Sequence, residues 1–118
     1  MFLTAAACVG ACSEDTTIAI DWSVVRNGAP IACEQSRVAF MQIDAYKDGT
    51  FLDRGELTQS AIAPCASGHQ TLEVPAGSYF LTFDALDSSG IAAAYTDDQL
   101  VIVGEGEAAL VHVEVRAF

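Results

Sequence analysis

Catalysis needs a base, a nucleophile or a metal ligand held in place, and this chain has only two histidines from which to build such a site. His69 lies in the polar stretch Ser67–Gly68–His69–Gln70, and His112 stands between Val111 and Val113 near the end of the chain. On an extended strand, residues two apart share a face, so His112 and Glu114 are placed to pair. That pair reads as a surface contact rather than a general-base dyad. The sequence holds no Gly-x-Ser-x-Gly elbow, Walker-type loop, Gly-x-Gly-x-x-Gly turn or His-Glu-x-x-His helix. The glycines of Val103–Gly104–Glu105–Gly106–Glu107 join two strands and open no helix, so they make no phosphate cradle. The residues point away from an enzyme.

Hard-cation binding is the next chemistry to weigh. Calcium takes several oxygen ligands from loops, and Asp87, Asp97, Asp98, Glu105 and Glu107 all fall in loop-like stretches. Asp87–Gly90 and Tyr95–Asp98 would share an ion if their loops met at one end of the fold. No Asp-x-Asp-x-Asp-Gly ladder is present, and the competing reading is solvated turn carboxylates. Among the aromatics, Tyr46, Phe51 and Tyr95 lie near loops and are the candidates for stacking on a sugar, whereas Trp22 is in register with core positions.

Sixteen acidic residues against five basic ones give a net charge of −11. Such a surface repels phosphate backbones and anionic headgroups, so nucleic acid is a poor partner. Membrane association would have to come from another part of the chain. Residues 1–11, Met-Phe-Leu-Thr-Ala-Ala-Ala-Cys-Val-Gly-Ala, carry no charge and are too short to span a bilayer. An apolar run of this kind, ending in small residues, reads as the hydrophobic region and cleavage site of a secretory signal. Val9, Gly10, Ala11 and Cys12 resemble the lipobox of bacterial lipoproteins, in which the signal is cut before the cysteine and the cysteine is lipidated. Ala5–Cys8 is a poorer match, and the basic region that opens such signals is not among these residues. The competing reading makes residues 1–12 an apolar edge strand or tail. If the resemblance holds, Cys8 leaves with the signal, Cys12 carries lipid, and Cys33 and Cys65 remain. In an oxidising compartment those two are expected to form a disulfide, the alternative being two separately buried thiols. No Cys-x-x-Cys spacing suggests a redox motif or zinc ribbon.

Beyond Cys12 the apolar period is two. Ile18, Ile20, Trp22 and Val24 alternate with polar or small residues; so do Tyr79, Leu81, Phe83 and Ala85, and Val111, Val113 and Val115. A central strand is expected around Val38–Ala45, with shorter ones at 55–60, 70–74, 93–96 and 100–103. Leu57–Cys65 has room for no more than a single helical turn. Arg26-Asn-Gly-Ala-Pro, Lys47-Asp-Gly-Thr, Pro75-Ala-Gly-Ser, Asp87-Ser-Ser-Gly and Gly104-Glu-Gly-Glu supply the turns. The expectation is all-β: a single antiparallel sandwich of seven to eight strands, Ig-like or prealbumin-like, with a small barrel as the alternative. Residues 1–12 would be the signal remnant, 13–17 a short tether and 18–118 the sandwich. Gly28 with Pro30, then Pro75, Ala76, Gly77 and Tyr79, then Asp87 and Gly90, resemble the turn motifs of carboxypeptidase-regulatory-like or transthyretin-like sandwiches. That family resemblance implies an accessory or scaffold module without catalytic residues.

The sequence therefore leads to a non-catalytic cell-envelope lipoprotein. A lipid on Cys12 would hold it at the membrane, and the sandwich would meet an envelope protein or glycan. The second reading is a secreted calcium- or carbohydrate-binding domain.

Overall fold

A computed structural model describes residues 16–118; the expectations for Cys8, Cys12 and the tether up to residue 15 lie outside the described residues. The chain folds into two packed β-sheets. Alternation sets the inner face of each strand, as expected. In β1 (Thr17–Arg26) Ile18, Ile20, Trp22 and Val24 are buried, and in β9 (Ala108–Ala117) so are Val111, Val113 and Val115. Facing them are Met41, Ile43 and Ala45 of β3 (Phe40–Lys47), and Tyr79, Leu81, Phe83 and Ala85 of β6 (Gly77–Leu86). These residues form one continuous core between the sheets.

The first sheet is organised around β1. After β1 the chain reverses at Asn27 and Gly28, whose φ angles of 53° and 80° suit the tight hairpin turn that leads into β2 (Ala29–Ile31). β2 and β5 (His69–Glu73) share one edge of β1, pairing with its second and first halves respectively. On the other edge lies β9, and β7 (Ala94–Tyr95) completes the sheet beyond it. The second sheet runs in the order β4 (Glu56–Pro64), β3, β6, β8 (Gln99–Val103). Every pairing is antiparallel except β1 with β9, the first and last described strands, which run side by side in the same direction. Parallel neighbours need a long crossover, and here the rest of the sandwich supplies it.

Three features differ from expectation: the described residues form nine strands rather than seven to eight, β1 and β9 pair in parallel rather than antiparallel, and one segment takes another form. Residues 56–64 form a full edge strand rather than a short strand followed by a helical turn. Pairing of Met41 with Ala63 and of Ile43 with Ala61 holds the segment extended. Its alternation is hidden in the sequence because the inward residues are the small Ala61 and Ala63, while Ile62 points out to solvent. A single 3-10 turn does follow, at Cys65–Ser67.

Two glutamines bridge the open sides of the sandwich. Gln59 Nε2 donates to the Glu73 carbonyl at 3.2 Å, linking β4 to β5, and Gln99 Nε2 donates to the His112 carbonyl at 2.9 Å, linking β8 to β9. Each bond occupies backbone at a sheet margin that would otherwise be open to pairing with another chain. Cys33 and Cys65 form a disulfide with their Cα atoms 6.0 Å apart. It joins the turn after β2 in the first sheet to the turn after β4 in the second. Trp22 is buried beside this bridge, and its Nε1 donates to the Cys65 carbonyl at 2.9 Å.

Candidate functional site

The parallel register of β1 and β9 sets Asp21 opposite His112 and Ser23 opposite Glu114 on the outer face of the first sheet. His112 Nδ1 lies 2.5 Å from Asp21 Oδ1, and its Nε2 lies 3.3 Å from Ser23 Oγ. With Nδ1–H donating to the carboxylate, Nε2 is left as an acceptor for the serine hydroxyl. On the other side of β1, His69 is the strand partner of Asp21, but the carboxylate contact is made by His112. Glu114, the partner expected for His112, instead faces Arg116 at 3.7 Å.

Asp21, His112 and Ser23 follow the order of a hydrolytic relay: carboxylate, imidazole, hydroxyl. Their surroundings do not match. The His112 and Asp21 side chains are 61% and 65% exposed on an open sheet face. Water there screens the charges that a relay must concentrate, and a working hydrolase also needs donors aimed at the developing oxyanion. The line reads as a surface hydrogen-bond chain.

The candidate calcium ligands are spread out and mostly engaged. Asp87 Oδ1 accepts the backbone N–H groups of Ser89 (2.8 Å) and Ile91 (3.0 Å), closing its own turn. The Ile91 and Ser89 hydrogen bonds hold its carboxyl below the usual range. Asp97 takes both arms of Arg116, each at 3.1 Å, and the same contact lowers the Asp97 carboxyl and raises the Arg116 guanidinium. Asp98 is pushed up by partial burial, against the pull of Arg54. Glu107 Oε1 accepts the Gly104 N–H at 2.7 Å, and Glu105 is exposed in the same turn. From Asp87 the chain runs back along β6, where Thr96 Oγ1 donates to the Phe83 carbonyl, so Asp97 and Asp98 lie away from the Asp87 turn. Among the described residues, no three His, Cys, Asp or Glu side chains come together as a metal-holding group.

The stacking candidates have partners already. Arg54 lies 5.4 Å over the Tyr46 ring, Phe51 meets Phe80 edge-on at 5.3 Å, and Tyr95 meets Phe118 at 4.6 Å.

A feature not singled out from sequence lies where β1, β6 and β9 end. Arg26, Arg37, Asp87, Ile91 and Phe118 line a cleft of about 360 Å³. Two of the five basic residues of a strongly acidic chain meet here. Among the described residues neither arginine forms an ion pair. Arg26 closes a strand, Arg37 lies in a connection and Phe118 follows the last strand, so only the folded topology brings them together.

No family model, curated protein or solved structure matches this chain.

Proposed function

We propose that this chain is a non-catalytic cell-envelope lipoprotein, held at a membrane by lipid on Cys12, whose sandwich acts as a structural or protein-interaction module. The carboxypeptidase-regulatory-like or transthyretin-like resemblance fits that role. The observation that carries the reading is the Cys33–Cys65 bond. Disulfides persist in oxidising compartments and are rare in the cytosol, so a bonded pair in a small domain favours export. Lipid at the lipobox cysteine then supplies the anchor, since several acyl chains hold where one gives only marginal binding. Among the described residues, no helix is long and apolar enough to cross a membrane.

The two ends of the sandwich divide the work. Val74 N–H donates to the Thr16 carbonyl, placing the point where the chain leaves toward Cys12 beside the β5–β6 connection. The arginine cleft lies at the opposite end, where β1 and β9 finish. An anchored domain thus presents the cleft away from the bilayer, toward a partner that offers a carboxylate or another anion and an apolar contact for Ile91 and Phe118.

Fractionation of cells carrying the full chain tests the anchor. The unaltered chain should stay in the carbonate-washed membrane fraction, and Cys12→Ala should move to the soluble fraction. An unaltered chain recovered as soluble protein would sink the proposal.

A further inference from the structure

We infer that Phe51 and Leu52, at the tip of the β3–β4 loop, contact the bilayer and set the anchored domain upright on it. This rests on the lipid anchor at Cys12 proposed above. Leu52 is 100% exposed and Phe51 66% exposed, yet the loop that presents them is closely held. Thr50 Oγ1 accepts the N–H groups of Leu52 (3.2 Å) and Asp53 (3.0 Å), and Asp53 Oδ1 accepts that of Gly55 (3.2 Å). The Phe51 ring rests on Phe80. Apolar side chains on a pinned turn give up little conformational freedom when they are buried against a partner.

Position selects the partner. Asp48 N–H donates to the Ser78 carbonyl at 2.8 Å, and Val74 N–H donates to the Thr16 carbonyl at 3.1 Å. The β3–β4 loop and the start of β1 therefore sit at one end of the sandwich, joined by the short segment 74–78. Cys12 precedes Thr16 by four residues. At the full reach of an extended chain that is at most about 14 Å. Lipid on Cys12 must then draw this end to the headgroups, with Leu52 among its most exposed apolar groups.

Charge selects the kind of contact. Around the same end Asp48, Asp53, Glu56, Glu105 and Glu107 are exposed and outnumber Lys47 and Arg54, so the balance of charge repels anionic headgroups. An apolar contact with a neutral surface remains. Two side chains alone would not keep a free domain on a membrane. The anchor raises their local concentration enough for the contact to decide orientation.

The test uses the full chain with Cys8→Ser, coupled through Cys12 to a maleimide lipid in neutral phosphatidylcholine vesicles, with the Cys33–Cys65 bond intact. Leu52→Trp is compared with Ile91→Trp at the cleft end, each read against the parent chain, whose single Trp22 is buried. Emission from position 52 should shift to the blue and be quenched by lipids brominated about 5–10 Å below the headgroup boundary. Emission from position 91 should stay unchanged. A position 52 that does not respond to the vesicles overturns the inference and leaves the tip to a protein partner. Equal quenching at both positions overturns it too, because the domain would then lie flat. The lipid is attached chemically, so failure here counts against the tip alone; an unmodified Cys12 in native membranes counts against the anchor.

Discussion

Asp21 and His112 face each other across the one parallel strand pair among the described residues, with Oδ1 2.5 Å from Nδ1, and Ser23 completes the line on the far side of the imidazole. The exposure of this line makes a clear prediction. Removing the nucleophile of a working triad costs several powers of ten in rate. Ser23→Ala should instead leave p-nitrophenyl acetate hydrolysis within about twofold of the parent, the slow rate expected of a solvated imidazole. A fall of about a hundredfold or more would make Ser23 a nucleophile and the non-catalytic reading wrong.

The disulfide should be a large part of the stability. Cys33 and Cys65 are 32 residues apart, and closing a loop of that length contributes about 3 to 4 kcal/mol in the chain-entropy model. Cys33→Ser with Cys65→Ser should lower the urea midpoint accordingly. Trp22, hydrogen-bonded to the Cys65 carbonyl, reports the transition by its own fluorescence. A loss below about 1 kcal/mol would show that the bridge is incidental to the fold.

Two neighbouring aspartates should respond to pH in opposite senses. The Arg116 fork lowers the Asp97 carboxyl in the folded state. Its stabilisation is present above the ordinary value of 3.8 and is lost as pH falls through the lowered folded value. Partial burial raises Asp98, so its contribution is full below 3.8 and is lost as pH rises through the raised value. At neutral pH, Asp97→Asn should lower Tm slightly and Asp98→Asn should raise it. Both differences should shrink in acid. Shifts of the same sign at neutral pH would contradict these assignments.

Much of the fold could be read from the chain, and the limits have a physical cause. Alternation at Ile18–Val24, Tyr79–Ala85 and Val111–Val115 marks which side chains turn inward, because a strand has only two faces. It says nothing about which strand lies alongside. The Asp21–His112 contact depends on β1 and β9 being parallel neighbours, so from sequence the reachable partner of His112 was Glu114, two residues away. The full length of β4 is hidden in the sequence because Ala61 and Ala63 are too small to announce a buried face. The meeting of Arg26, Arg37 and Phe118 needs the complete topology, and no local spacing encodes it.

The β3–β4 loop depends on Gly49. A Cβ there would overlap the Arg54 carbonyl and crowd the Phe80 side chain. Gly49→Ala should therefore displace the loop, cost about 1 to 3 kcal/mol, and separate Phe51 from Phe80. Urea unfolding measures the cost, and NMR ring contacts between Phe51 and Phe80 measure the displacement. Unchanged stability with those contacts intact would mean that the loop is not pinned as described.

The most direct test of an anchored, exported sandwich is the intact mass of the protein extracted from its native membranes, taken before and after reduction and alkylation. A chain beginning at an acylated Cys12, with two thiols exposed only by reduction, is the predicted result. An unmodified chain that retains Met1, with Cys8, Cys12, Cys33 and Cys65 all alkylated before reduction, would contradict both the anchor and the exported fold.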